Sequence, residues 1–392
     1  MNILFITSNS TGQGHKSITE AVSSQLKRLA PDVNISVIDG FTEGNALARA
    51  SGRIYNTIAV YFPLLWGLLY RFCDFAYRLI NKLTIWCTEK GVMNAVMREK
   101  PDIIISVHAA FVGSVLSILE KHRLSVPLIP IIADLDNVSS MWYDKRAAAI
   151  ICPTQEAKQK MALLGMPEEK LVIYDFPLRK QFTEPDPAAS SLADDLHFDS
   201  DKPLALLING SQGSPRSVNM VKTLLKAESC NLCVVTGSNK QLRELLEICF
   251  KPYLGKRLKV IGYTHEMDKY MRAADFLIAR ASPNVLMEAV FLRKPVIATG
   301  AFHGQEEKNP AFIENHKLGV FCKKIALLPE VVRALTANDG AKLKEISENQ
   351  AAFYKSDSTI RIAAFLLQCI DEDHNGNLNP YLRKMQISPT LG

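Results

Sequence analysis

The apolar residues of this chain fall into short continuous runs separated by longer stretches of helical period. Asn2–Thr7 (NILFIT) is the first run, the pattern of a strand buried on both faces. A glycine-containing loop follows, and then a helical pattern from about His15 to Leu29. Asn34–Asp39, Asp102–Val107, Leu128–Ala133, Ala147–Cys152 and Leu171–Tyr174 continue the series of strands. This alternation predicts an α/β fold with a parallel sheet and helices on both faces. The rhythm breaks at 184–203 (EPDPAASSLADDLHFDSDKP), where acidic residues, prolines and the lack of an apolar period mark a linker. It restarts with Leu204–Ile208, Leu232–Thr236, Leu258–Ile261, Phe276–Ile278 and Pro295–Ala298. The second lobe is expected to end near Thr336, with a last helix from about Ile360 to Ile370. The expected organisation is a first domain over 1–183, the linker, a second domain over 204–340, and helices with a polar tail over 341–392. Two doubly wound sheets in tandem would leave a cleft between them, with ligands at the carboxyl ends of the strands.

One segment departs from this rhythm. Residues 49–90 hold 9 of the chain's 31 aromatics, and their six basic residues outnumber Asp74 and Glu89. The uncharged run Thr57–Tyr70 contains Pro63 and is 14 residues long, short of the ~20 that span a bilayer. Rings interleaved with cations suit the headgroup level of an anionic membrane, and that is the expected partner of this segment. The competing reading is a helical hairpin buried against the first sheet.

Composition narrows the class. The 392 residues carry a net charge of +6, too mild for nucleic acid but suited to an anionic surface where clustered. The N-terminus opens directly on a strand with no basic n-region, so a cytosolic chain is expected, held peripherally on the inner face of the membrane. The eight cysteines are scattered and read as buried thiols, and Cys230-x-x-Cys233 has no second pair beside it. No metal and no cofactor is expected.

Three strand-to-helix corners carry candidate chemistry. The first is Ser8-Asn-Ser-Thr-Gly12-Gln-Gly14-His15-Lys16-Ser17, where Gly12 and Gly14 let the backbone approach a ligand. His15 at a helix start would stay neutral and could accept a proton from a hydroxyl; a capping or solvent-facing histidine is the alternative. A dinucleotide fingerprint would want a third glycine at Ser17, although Asp39 does close the second strand. The second corner is Asn209-Gly210-Ser211-Gln212-Gly213-Ser214. The third runs from Arg280 through Ser282, Pro283 and Asn284 to Glu288. Ser282 suits an N-cap and Pro283 the first helical position, and a helix start there can hold a diphosphate. Glu288 could hold paired ribose hydroxyls; a solvated helix glutamate is the alternative. Asp134-Leu-Asp136 spells a metal-binding DxD, and Asp371-x-Asp373-x-Asn375-Gly376 opens like a calcium loop, but Leu382 stands where the bidentate glutamate belongs.

Over about 1–325 the chain resembles the family-28-type glycosyltransferases of GT-B fold, in particular the monogalactosyl- and glucosyl-diacylglycerol synthases. TSNSTGQGHKSITEAV resembles that family's glycine-rich loop, SVHAAF around His108 its Ser-x-His-Pro segment, and ADLDNVSSMWYD the segment carrying Asp134 and Trp142. The run from Val260 to Gly319 is similar to its nucleotide-sugar site. The resemblance implies two Rossmann-like domains facing each other across a cleft. The first would take a lipid acceptor near Gly12, Gly14, His15, His108, Asp134 and Trp142. The second would take a UDP-sugar, with Ser211, Gln212, Ser282 and Asn284 at the donor, Gly262 and Tyr263 at the uracil and Glu288 at the ribose. Gly304, Gln305 and Glu306 would meet the sugar hydroxyls, with Asn309 beside them. The chain differs from the family at Ala281–Asn284, where a glycine-rich turn is usual, at Ser211, and at Val138 in place of a histidine.

The activity implied is inverting transfer of a hexose from a UDP-sugar to a diacylglycerol-type lipid. Alternatives are a UDP-GlcNAc transferase of peptidoglycan synthesis, a UDP-sugar epimerase, a nicotinamide enzyme and a non-catalytic nucleotide-sugar sensor at a membrane.

Overall fold

The computed structural model describes residues 1–9, 13–184, 198, 202–210, 213–355 and 357–374. It separates into two α/β units, one of Met1–Arg179 with His303–Gln305 and the chain from Asp357, the other of Lys180–Phe302 with Glu306–Ser356.

The first unit is built from β1 (Asn2–Thr7), α1 (Gln13–Leu29), β2 (Asn34–Asp39), α2 (Ala46–Tyr61), α3 (Pro63–Phe75), α4 (Tyr77–Glu99), β3 (Ile103–Ser106), α5 (Gly113–Lys121), β4 (Leu128–Pro130), β5 (Ile150–Cys152), α6 (Gln155–Leu163) and β6 (Leu171–Ile173). Its parallel sheet has the order β2-β1-β3-β4, with β1 central and Ile3, Leu4, Phe5 and Ile6 buried on both faces. β5 and β6 form a separate parallel pair, tied in through a bridge between Ile131 and Ile151. The strands expected over 128–133 and 147–152 are therefore shorter than their apolar runs. Burial, not pairing, accounts for the apolar residues beyond their ends.

The second unit holds α7 (Lys180–Thr183), β7 (Leu204–Ile208), α8 (Arg216–Lys226), β8 (Asn231–Val235), α9 (Lys240–Cys249), β9 (Leu258–Ile261), α10 (Met267–Ala273), β10 (Phe276–Ala279), α11 (Pro283–Phe291), β11 (Val296–Ala298), α12 (Asn309–Asn315), β12 (Gly319–Phe321) and α13 (Leu328–Phe353). Its six parallel strands run β12-β11-β10-β7-β8-β9, and the order reverses at β7 and β10, whose carboxyl ends lead into the second and third corners. Cys230 and Cys233 are buried at β8, and burial pushes both thiols up to about 12, which leaves them inert.

The end of the second unit lies beyond Thr336. α13 is interrupted at 337–340, where Asn338, Asp339 and Gly340 take φ of 50°, 52° and 71°, and then resumes. Its second half stays with this unit because buried Gln350 donates to the carbonyls of Lys294 (3.0 Å) and Leu318 (2.7 Å). The last helix, α14 (Ser358–His374), is longer than its apolar period and packs on α1 in the first unit. The linker expected at 184–203 lies outside the described residues except for 184, 198, 202 and 203, as does the calcium-like loop beyond His374.

Candidate functional site

In the first unit the carboxyl end of β1 turns into α1, whose first turn carries His15. The imidazole is buried, and burial lowers its pKa to about 4 against a hydrogen bond with the backbone of Val107 that raises it. It is neutral at pH 7, and its Nδ1 has no hydrogen-bond partner among the described residues. The ring lies 4.7 Å, centroid to centroid, from that of His108. His108 Nδ1 accepts from the N–H of Ala110 (3.2 Å), so its proton sits on Nε2. Burial, and then the neighbouring His15, hold His108 well below the ordinary histidine value. Phe41 meets the His108 ring edge-on at 5.3 Å and Phe111 at 5.4 Å, walling the pair with apolar surface. The sequence brought His15 and His108 forward separately; the fold joins them, and adds Phe41 and Phe111, which no motif marked.

Asp39 does not behave as a ribose-binding acid. Its Oδ1 accepts from the N–H groups of Phe41 (2.9 Å) and Thr42 (3.0 Å), and its Oδ2 from that of Asn9 (2.7 Å). Both oxygens hold loop backbone. Trp142, expected against an acceptor, is fully buried instead, and its Nε1 donates to Asp134 Oδ2 at 2.7 Å. Asp134 is buried too, and Gln305 Nε2 lies 3.3 Å from its other oxygen. Gly304 takes φ +79° with Tyr70 packed on its Cα, so no side chain fits there. Gly14 lies in the first turn of α1 beside His15, while Gly12 lies outside the described residues.

Residues 49–90 are only partly buried, with Thr84, Cys87 and Thr88 of α4 in the interior. α3 presents Leu64, Leu65, Leu68, Phe72 and Phe75 on one face, and α4 adds Leu79, Leu83 and Trp86 at the same helical spacing. Phe75 is 89% and Trp86 66% exposed. The opposite face of α3 is anchored: Asp74 accepts from the hydroxyl and N–H of Ser139 and Ser140, and Tyr70 donates to the Asn137 carbonyl (3.1 Å). Arg49, Arg71, Arg78, Lys82 and Lys90 are exposed in the same segment. Pro63 starts α3 and divides the uncharged run, and no helix among the described residues is long and apolar enough to cross a membrane.

In the second unit Ser282 stands at the N-cap of α11 and Pro283 at its first position, as the sequence suggests. The serine side chain makes no capping bond, which leaves the first N–H groups of that helix uncapped by it. Asn284 is half-buried beside it, and Glu288 is buried on the next turn, not solvated. Asn309 is buried, and its Nδ2 donates to the Ala281 carbonyl (2.8 Å), pinning the corner to α12. Glu306 is also buried, and its Oε2 accepts from the N–H of Phe302 (2.9 Å). Arg280 Nε lies 3.0 Å from the same oxygen, an ion-pair distance with the N–H off the hydrogen-bond line. Burial raises the Glu306 pKa, and Arg280 and the Phe302 N–H oppose that rise. So Glu306 and Asn309, expected at sugar hydroxyls, spend atoms on the loops around them. Arg280 opened the third corner in the sequence without a role of its own; its signal was a cation ending an otherwise continuous apolar strand. Gly262 lies near the Arg243 side chain, and Tyr263 is exposed, with its ring edge-on to His265 at 5.0 Å. Ser211 and Gln212 lie outside the described residues.

Comparison with known proteins places these features. Residues 15–178 match the model of the monogalactosyldiacylglycerol (MGDG) synthase family, and 204–360 that of the glycosyltransferase family 28 C-terminal domain. A processive diacylglycerol beta-glucosyltransferase of Staphylococcus saprophyticus is 27% identical over 94% of this chain and 93% of its own. A probable chloroplastic monogalactosyldiacylglycerol synthase of Glycine max is 25% identical over 92% of this chain and 70% of its own. Among solved structures, Anabaena HepE in complex with UDP aligns with a TM-score of 0.56 at 15% identity, covering 94% of this chain and all of that one. MurG of Acinetobacter baumannii aligns at 0.57 and 13% identity, covering 94% and 99%. At such identities the structural likeness shows the fold, which is GT-B. With both halves matched and two parallel-sheet units in place, the chain belongs to the family-28-type GT-B glycosyltransferases, in the group of the monogalactosyl- and glucosyl-diacylglycerol synthases.

Proposed function

We propose that this protein transfers a hexose from a UDP-sugar to the hydroxyl of a diacylglycerol-type lipid, with inversion, while docked peripherally on the cytoplasmic face of an anionic membrane. The observation that carries the reading is His15: a buried imidazole, neutral at pH 7, whose Nδ1 has no partner among the described residues. Such a group can take the proton from an acceptor hydroxyl as its oxygen attacks the anomeric carbon. The bond from that carbon to the diphosphate then breaks, and UDP leaves with the electron pair. Relatives named for diacylglycerol transfer support the acceptor, and a structural neighbour solved with UDP supports the donor. Glu288 would hold the ribose and the start of α11 the diphosphate. The exposed apolar face of α3 and α4, with exposed cations in the same segment, supports insertion at headgroup depth.

The test uses purified full chain with UDP-glucose, UDP-galactose or UDP-GlcNAc and diacylglycerol in anionic vesicles. Wild type is expected to form glycolipid with one of these donors, and His15→Ala and Glu288→Ala to lose it. Full activity in both variants would reject these roles. In flotation, Leu68→Glu with Phe72→Glu is expected to lower vesicle binding about tenfold or more, since each buried apolar side chain contributes roughly 1.5–3 kcal/mol. Undiminished binding would move the membrane contact elsewhere.

A further inference from the structure

We propose that Arg216 and Arg280 form a two-arginine clamp, at the carboxyl edge of the second sheet, that takes the diphosphate of a nucleotide. The nucleotide's identity rests on the function proposed above; the clamp itself is built from the second unit alone.

Arg280 directly follows β10. Its Nε faces Glu306 Oε2 at 3.0 Å, and its guanidinium carbon sits 3.7 Å above the centre of the Phe302 ring. One edge and one face of the fork are thereby fixed. The two Nη groups turn toward Gly210, where an added methyl would meet them at 3.8 and 3.9 Å. Gly210 has φ +77°, so the loop after β7 keeps its backbone bare at that point. Arg216 is the first residue of α8, and its Nη1 would meet a methyl on Gly300 at 3.2 Å. The Gly300 carbonyl accepts from the N–H of Ala281 (2.8 Å), the residue next to Arg280. Arg280 thus faces the loop that leaves β7, and Arg216 the loop that leaves β11, which is bonded to the loop that leaves β10.

An anion bound here would complement both cations. A cation in the first turn of a helix opposes the helix dipole, and Arg216 has no carboxylate partner among the described residues. The carboxylate beside Arg280, Glu306, divides its Oε2 between the guanidinium and the Phe302 N–H. Guanidinium forks give paired hydrogen bonds to phosphate oxygens, which a lysine does not. They also reach further than backbone N–H groups. That accounts for side chains at Ala281–Asn284, where the family has a glycine-rich turn. In transfer, the diphosphate gains charge as its bond to the anomeric carbon breaks, and cations fixed beforehand stabilise it there. Glu306 is the positioning residue for Arg280.

The test is titration calorimetry of the full chain with UDP and uridine. Arg216→Gln and Arg280→Gln are each expected to weaken UDP about tenfold or more, with uridine unchanged. Glu306→Gln is expected to weaken UDP less than Arg280→Gln does, and to have no further effect in the Arg280→Gln background. Arg280→Lys is expected to recover only part of the loss. The clamp is overturned if wild type does not bind UDP, if both Gln variants bind it as wild type does, or if uridine falls by the same factor as UDP. Arginine-dependent UDP binding without sugar transfer to lipid would reject the proposed function and keep the clamp. Transfer that persists with UDP binding indifferent to both arginines would do the reverse.

Discussion

At the scale of single residues, the first unit is governed by what burial does to histidine. A solvent-facing imidazole would be half protonated near pH 6.5, whereas His15 keeps its neutral form down to about pH 4. The unfolded chain therefore binds a proton at a pH where the folded chain does not. Stability from this group is complete above pH 6.5 and is lost as pH falls toward 4, by roughly 3 kcal/mol over the whole interval. Denaturant unfolding at pH 7 and pH 4.5 should show a steeper loss for wild type than for His15→Gln, and equal losses would reject the assignment. If His15 is the base, the acid limb of kcat/KM belongs near its folded value, so activity should be flat from pH 6 to 7. Trp142, Glu306 and Asn309 stand in motifs associated with ligands, and each also hydrogen-bonds a partner within the protein. A motif gives residue type and spacing; only packing says which atoms are already taken.

Among the elements, α4 makes the contest between local propensity and packing explicit. Gly91 lies within this helix, where alanine would ordinarily be favoured by about 1 kcal/mol. A methyl at Gly91 would fall 2.0 Å from the Glu43 carbonyl oxygen and 2.6 Å from its carbon, both backbone atoms that cannot swing aside. Overpacking should win. Gly91→Ala is expected to destabilise the protein by about 1–3 kcal/mol, read as a lower denaturant midpoint with m unchanged. A neutral or stabilising result would mean that α4 moves freely over the β2–α2 connection. α3 shows the opposite case, a helix whose sequence pattern survives into the structure inverted. Its apolar stripe faces outward, while the polar atoms of Tyr70 and Asp74 tie it to the unit. Hydropathy in the sequence located the stripe, but could not tell a core-facing one from an exposed one.

For the whole molecule, chain order and spatial order part company at the C-terminus. α14 follows the second unit in sequence and belongs to the first, with Ile362, Ala363, Phe365, Leu366 and Ile370 buried there. Phe176 and Leu178 meet it through backbone: the Phe176 carbonyl accepts from the Ser358 hydroxyl (3.3 Å), and the Leu178 N–H donates to Thr359 Oγ1 (3.0 Å). Removing residues from 357 onward should therefore destabilise the unit that contains the N-terminus. Uncovering five apolar side chains costs several kcal/mol, a large part of a domain's typical 5–15 kcal/mol. Hydrogen exchange in the truncated chain should show lost protection in β1 and β3, with β7 and β10 retained; uniform protection would contradict this assignment of the helix.

Strand runs, the glycine corners and the aromatic, basic segment were legible in the sequence, because each depends on residues close together along the chain. Periodicity and turn chemistry are local physics, and a nucleotide-sugar motif is a local string. What only tertiary structure decided is nonlocal. It paired His15 with His108 across 93 positions, gave Arg280 to Glu306, returned α14 to the first unit and turned the stripe of α3 outward. These outcomes depend on which surfaces remain to be buried once the sheets have formed, and no window of sequence holds that information.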